Sequence, residues 1–225
     1  MTRKIILPLL FGLAGTAVLL WLGVWQVQRM EWKQDILAQI DNRIGGTPVA
    51  LPMAPNPETD TYLPVEVTGS NTGKELHVLV STKSAGAGYR IISAFETTDG
   101  RRIMVDRGFV PTSEKNAARS TNNIKIQGNL HWPDEIDSYT PEPDISGNIW
   151  FARDVPTMAD ALNTEPVLVI ARTTSATTPA VTPLPIDSAG IPNDHFEYAV
   201  TWFLLAAVWV GMTGVLLWRI RRGTE

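Results

Sequence analysis

The chain contains no cysteine. No disulfide can staple its folded part, which must stand on its own hydrophobic core, and thiol redox chemistry and thiolate metal sites are excluded. Histidine is scarce as well, with three residues, His77, His131 and His195. No glycine-rich phosphate loop, no Gly-x-Ser-x-Gly and no His-Glu-x-x-His occurs, so the common signatures of nucleotide, acyl-transfer and zinc-protease chemistry are missing. The six methionines (1, 30, 53, 104, 158 and 212) are scattered, which does not suit a soft-sulfur copper site. Positive charge is in deficit, 19 basic residues against 23 acidic. An acidic chain argues against a nucleic-acid partner, which needs a basic surface.

Long apolar runs are what the chain does have. Ile5 to Trp25 and Tyr198 to Trp218 carry no charged residue, and each is long enough to cross a hydrocarbon core of about 30 Å as a helix. Arg3 and Lys4 precede the first run; Arg219, Arg221 and Arg222 follow the second. Positive flanks stay inside, so both termini are expected in the cytoplasm and the central part outside. Arg29 and Lys33 dilute this signal, with Glu31 and Asp35 beside them. With those five bases and Glu225 set aside, 14 basic residues face 22 acidic ones, a charge of −8 for the exported part. A cleaved signal peptide is the other reading of the first run. That run is too long for a typical signal core, and no small-x-small site follows it. The short start, Met-Thr-Arg-Lys, leaves no room for a transit peptide. The expected location is a bacterial inner (plasma) membrane, with membrane lipid around two spans and a periplasmic central domain.

The expected organisation is a cytoplasmic start over residues 1–4, a first transmembrane helix over 5–27, and a juxtamembrane helix with a Pro-rich connector over 28–57. An extracytoplasmic β-rich domain over 58–172 and an extended return segment over 173–194 follow. The second transmembrane helix covers 195–218 and a cytoplasmic end 219–225. Trp32, Ile36, Ile40 and Ile44 repeat at helical spacing until Gly45-Gly46 stops them. The period then changes to two, and Tyr62–Thr68, Glu75–Val80, Tyr89–Thr97, Arg102–Val110, Ile124–Leu130 and Val167–Arg172 read as strands. Asp99-Gly100 signals a hairpin turn. Asp154 opens one helix, Val155 to Leu162, with its proline early where it is tolerated. The fold class is two transmembrane helices, a helical hairpin, flanking a mostly antiparallel β domain, barrel or sandwich-like, with one covering helix.

Among polar residues, His131, Asp134, Glu135 and Asp137 can be drawn as a hard-metal cluster, but an acidic run beside prolines is more often a solvated loop. His77 lies in an alternating strand, where a structural histidine is usual. His195 stands apart, because an ionisable group at membrane depth is a functional candidate. Asp194 with Glu197 three residues on fits a capping box, which puts His195 in the first helical turn. The helix dipole disfavours a charged imidazole there, and the neutral ring is the form that binds iron. His195, Ala199, Trp202 and Ala206 share one face, and the two alanines leave room for a flat group with Trp202 beside it. From the first span, Trp25, Arg29 and Trp32 share a side; Arg29 is suited to an anionic group such as a haem propionate. The plainer alternative is an interfacial histidine facing headgroups, an aromatic belt and snorkelling bases.

Leu22-Gly-Val-Trp-Gln-Val-Gln-Arg-Met-Glu-Trp-Lys33, Val105-Asp-Arg-Gly-Phe-Val-Pro111, Asn148-Ile-Trp-Phe-Ala-Arg-Asp154 and Asn193-Asp-His-Phe-Glu-Tyr-Ala-Val-Thr-Trp-Phe203 together resemble the Surfeit locus protein 1 family. These are membrane-anchored assembly factors of cytochrome c oxidase. The resemblance spans nearly the whole chain. It implies a non-enzymatic role: transient binding of haem a as cargo and its placement into oxidase subunit I, with the haem a synthesis enzyme as a second partner. It maps a proposed haem-iron ligand onto His195, so Trp202, Trp25 and Arg29 are expected to line the cofactor site. Departures are Phe109 where the family has tryptophan, Leu63 where arginine is common, and Asp194 where asparagine is frequent. The runner-up is a haem-free scaffold for nascent subunit I. A membrane-anchored exported enzyme or binding module comes third.

Overall fold

A computed structural model describes residues 3–83, 85–176, 181–188 and 193–222. The cytoplasmic ends expected at 1–4 and 219–225, and the return segment over 173–194, therefore lie partly outside the described residues. The chain divides into two compact units, residues 1–39 with 188–225, and residues 40–187.

The first unit is a pair of helices. Helix α1 runs Arg3–Ile44 and helix α4 runs His195–Arg222. Both are long and apolar enough to cross a membrane. Their apolar side chains point outward: Leu7 is 75% exposed, Phe11 68% and Leu204 62%. Such surfaces demand hydrocarbon around them, because no water-soluble core covers them. The amphipathic stretch after the first run is the same helix continued, since no proline or glycine interrupts Trp25 to Ile44. At 42 residues, α1 is about 63 Å long, twice what a bilayer requires.

Small residues on α1 set how closely the spans pack. A Cβ at Gly12 would stand 2.2 Å from Thr213 Cγ2, one at Gly15 2.5 Å from Trp209 Nε1, and one at Gly23 2.7 Å from Phe203. Trp209 Nε1 donates to the Gly12 carbonyl at 3.0 Å, and Thr16 Oγ1 donates to the same oxygen at 2.8 Å. Both donors are thereby satisfied at a depth where water does not reach. The glycines of α4, Gly211 and Gly214, face open space: a Cβ at either would meet nothing within 4 Å. They take no part in this contact.

The second unit is a closed barrel. Strands β1 (Val49–Ala50), β2 (Pro64–Thr82), β3 (Gly86–Thr97), β4 (Arg102–Pro111), β5 (Asn123–Leu130) and β6 (Leu168–Thr174) form one sheet in the order β1-β2-β3-β4-β6-β5, and β5 returns to pair with β2. The two expected strands at Tyr62–Thr68 and Glu75–Val80 are one. Strand β2 pairs its first half with β5 and its second with β3, bending at an irregularity between Asn71 and Glu75. That long, bent strand is what closes the sheet, so the architecture is a barrel. Pairings are antiparallel except β1 with β2 and β4 with β6.

Alternation along the strands makes two cores. Inside the barrel lie Val65, Val67, Phe95, Ile103, Val105, Ile126 and Val169. Against the outer face, helix α3 (Val155–Leu162) packs Val155, Met158, Ala159 and Leu162 on Ile92, Met104 and Leu168. Asp154 is the N-cap as expected, but its carboxylate takes the Thr157 hydroxyl rather than a backbone N–H. The Pro-rich connector holds β1 and leads into a single helical turn, α2 (Pro57–Asp60).

The last turn of α1 belongs to the barrel unit. Asn129, 1% exposed, donates to the carbonyls of Ile44 and Tyr62 at 3.0 Å each, and Arg172 donates to Ile44 at 2.9 Å. A cation and an amide at a helix C-terminus satisfy its free carbonyls and complement its dipole. The return segment is docked where it is described: Phe109 and Thr182 exchange backbone hydrogen bonds at 2.7 and 3.0 Å. Gly108 makes this possible. Its φ is +116°, and a Cβ there would meet the Thr182 carbonyl at 2.0 Å.

Candidate functional site

His195 opens α4, and Tyr198 N bonds back to the Asp194 carbonyl at 3.3 Å. The imidazole is half-buried. Its Nδ1 lies 2.8 Å from Gln26 Oε1 on α1. With the amide oxygen facing the ring, Nδ1 is the donor, and in a neutral ring Nε2 is the nitrogen that keeps its lone pair. Nε2 has no hydrogen-bond partner among the described residues. A histidine oriented through one nitrogen and open at the other is the usual arrangement of an imidazole metal ligand.

Sequence reasoning does not single out Gln26. It lies inside the Leu22 to Lys33 motif but carries no charge, and its aromatic and cationic neighbours are more conspicuous. The available signal is a polar amide one residue past the uncharged run, at the depth of His195. Trp25 and Arg29 are turned from Gln26 by about 100° and 60° round the helix. Trp25 is 46% exposed. Arg29 is exposed and stacks its guanidinium 3.8 Å over the Trp32 ring, a cation–π contact. Trp202 is half-buried on α4. Ala199 and Ala206 are each 3% exposed, so the small side chains serve close packing of the spans. The structure thus brings together His195 and Gln26, and leaves Trp25 and Arg29 on the neighbouring flank of α1.

A groove of about 540 Å³ does lie between the spans, lined by Phe11, Gly15, Leu19, Leu205, Trp209 and Met212 among others. It is almost wholly apolar. Trp209 is fourteen residues from His195, about 21 Å along α4, so the groove and the histidine are separate features.

Glu135, Asp137, His131 and His77 are each engaged structurally in the barrel unit. Glu135 is paired with Arg153 through both carboxylate oxygens, and Asp137 accepts from Tyr139 N and Thr140 in a turn. Arg153 also lies 3.6 Å from Asp106, which is fully buried and bonded to Arg90 at 2.6 Å and to Gly108 N at 3.0 Å. Burial raises the Glu135 carboxyl, and the Arg153 hydrogen bonds outweigh that and hold it below the usual range. His131 stacks on Tyr62. Burial, with Arg153 nearby, lowers its pKa to about 4, so it is neutral. Among the described residues no group of three or more His, Cys, Asp or Glu is gathered to hold a metal ion. His77 bonds Glu75 at 2.9 Å, and Trp150 exchanges backbone hydrogen bonds with β2 at His77 and Leu79.

Two membrane-spanning helices that precede and follow a closed β-barrel in the chain, with an oriented histidine at the start of the second span, define a membrane-anchored barrel protein. The model of the SURF1 family matches residues 13–207, and the chain belongs to that family. It is 30% identical to Surfeit locus protein 1 of Homo sapiens over 209 residues, 83% of this chain and 69% of that one. To Surfeit locus protein 1 of Rattus norvegicus it is 28% identical, covering 83% and 68%. To a SURF1-like protein of Rickettsia felis it is 31% identical over 199 residues, covering 84% and 87%.

Proposed function

We propose that this protein is an assembly factor of cytochrome c oxidase that holds haem a transiently, as cargo, through His195 and assists its insertion into oxidase subunit I. The observation that carries the reading is the Gln26–His195 hydrogen bond at 2.8 Å. It fixes the tautomer and leaves Nε2 free for a metal. A single protein ligand suits a carrier, which must release what it binds. The closed spans cover Ala199 and Ala206, so a flat ring reaches Nε2 from the open end of the hairpin, with Trp202 on one side. Trp25 and Arg29 flank that end, and Arg29 would leave Trp32 to neutralise a propionate. The partners of this reading are subunit I and the haem a synthesis enzyme, at a bacterial inner membrane with the barrel in the periplasm and both termini in the cytoplasm.

The test is the visible spectrum of the protein purified from cells that make haem a, with His195→Ala beside it. A haem a spectrum in the parent and none in the variant is expected. A second reading, a haem-free scaffold for nascent subunit I, is favoured by the same tight packing at Ala199 and Ala206. It predicts a colourless pair, with both forms still co-purifying with subunit I.

A further inference from the structure

At one end of the barrel the apolar interior gives way to a polar cavity. The interior rows continue through register: Asn71 lies opposite Phe95, Glu75 opposite Ser93, and Ser93 opposite Val105. Arg107, at the irregularity of β4 two residues beyond Val105, lines the same space. With Arg119, from the segment that follows β4, these residues line a space of about 150 Å³. Water occupies about 30 Å³ in the liquid, so there is room for a group of several heavy atoms.

Several polar atoms around this space are not satisfied among the described residues. Asn71 is 5% exposed and Ser93 2%, yet Asn71 Oδ1 and Ser93 Oγ have no hydrogen-bond partner among the described residues, and neither has the buried Nε of Arg119. The Asn71 NH2 reaches the Ser120 carbonyl only at 3.5 Å. The rest of Arg119 is fixed. Its Nη atoms donate to Glu75 and to the carbonyls of Glu114, Lys115 and Ala117, and its side chain is 4% exposed. His77 bonds the same Glu75 oxygen. Glu75 is thus neutralised by Arg119.

Arg107 is left over. It is half-buried and makes no hydrogen bond or ion pair among the described residues. Burial lowers its pKa; Glu75 offsets that only in part, and Arg119 pushes it down further. Its positive charge is therefore under-compensated where it stands. Elsewhere in the barrel the buried charges balance, with Arg90 and Arg153 set against Asp106 and Glu135. Here one guanidinium, the N–H of a second and one hydroxyl converge with a net positive charge and too few acceptors. Water supplies acceptors but no charge.

We propose that this end of the barrel is an oxyanion site, which takes a carboxylate or phosphate group on Arg107 with help from Arg119 Nε and Ser93. The Asn71 amide turns its NH2 toward the anion. This assignment does not depend on His195 or on haem.

The test uses the full chain in detergent at constant ionic strength, titrated separately with inorganic phosphate and with acetate, each replacing chloride. Binding is read by calorimetry and by Tm from tryptophan fluorescence. Saturable binding of at least one anion is expected in the parent, weakened about tenfold or more in Arg107→Gln, the loss expected for a buried charge-assisted contact. Saturation by acetate alone assigns the site to a carboxylate-bearing partner, and saturation by phosphate alone to a phosphate-bearing one. Asn71→Asp is nearly isosteric, keeps Arg107 in place and supplies an anion from within. It should raise Tm and abolish saturation by either probe. Absence of saturation in the parent, or a lower Tm in Asn71→Asp, overturns the proposal and leaves a water-filled cavity.

Discussion

One amide and one imidazole carry the proposed haem chemistry. If Gln26 fixes the tautomer of His195, then Gln26→Leu leaves the ligand in place but frees its ring. Haem a occupancy of the purified protein should fall about tenfold, the usual cost of losing a group that orients a metal ligand, while His195→Ala should abolish the haem spectrum. Equal occupancy in Gln26→Leu and the parent would remove the amide from the mechanism. A different histidine governs acid stability. His131 has its folded pKa lowered to about 4 from 6.5, first by burial and then by Arg153. The unfolded chain therefore binds more protons than the folded one between those values, and stability falls as pH drops from about 6.5 towards 4, at a slope of at most about 1.4 kcal/mol per pH unit. His131→Phe removes the titrating group and keeps a ring on Tyr62. Its Tm should decline less than that of the parent between pH 6.5 and 4.5, and parallel curves would show that His131 does not set the slope.

At the scale of elements, the contact between the spans is written on α1. Gly12→Ala must move Thr213, and Gly23→Ala must move Phe203, because the new Cβ would stand 2.2 and 2.7 Å from them. Each should cost about 1–3 kcal/mol by overpacking, seen as a lower Tm in micelles. Gly211→Ala and Gly214→Ala, with open space around them, should be nearly silent. Both spans are legible in the sequence through length and lack of charge, and helix α3 and most strand positions through period. Which glycines matter is not legible, because every glycine in a span reads alike until a partner helix is placed. Nor is it legible that Tyr62–Thr68 and Glu75–Val80 are one strand, since Gly69 and Gly73 look like turn residues. In fact Gly69 admits the backbone of the next strand: a Cβ there would meet the Glu96 carbonyl at 2.1 Å. His195 stands out as an ionisable residue at membrane depth, whereas the roles of Gln26 and Arg107 need three-dimensional neighbours. The C-terminal anchor of α1 is hidden for the same reason. Asn129→Ala takes the side-chain donor from the Tyr62 carbonyl and leaves the Ile44 carbonyl to Arg172 alone, and should lower stability by about 1–3 kcal/mol, measured by denaturant unfolding of the barrel's tryptophans.

At the scale of the whole molecule, the proposed topology rests on charge, and the absence of cysteine is compatible with it. The bases that bracket the two spans, Arg3 and Lys4 before one and Arg219, Arg221 and Arg222 after the other, favour a common cytoplasmic side for both ends. The barrel is closed, so it presents no long unpaired edge, and it needs no oxidising folding machinery because it has nothing to oxidise. It is therefore able to fold from its own core alone, on either side of the membrane. The same lack of cysteine makes any introduced thiol a unique reporter. Met53 and Tyr139 are 81% and 90% exposed, and replacement by cysteine disturbs no packed side chain at either. In intact cells with a permeable outer envelope, Met53→Cys and Tyr139→Cys should react with a membrane-impermeant maleimide. Thr224→Cys, beyond the terminal arginines, should react only after lysis. Labelling in the reverse pattern would put the barrel in the cytoplasm. It would also move His195 to the inner leaflet, so that cargo would have to be received from, and passed to, the other face of the membrane.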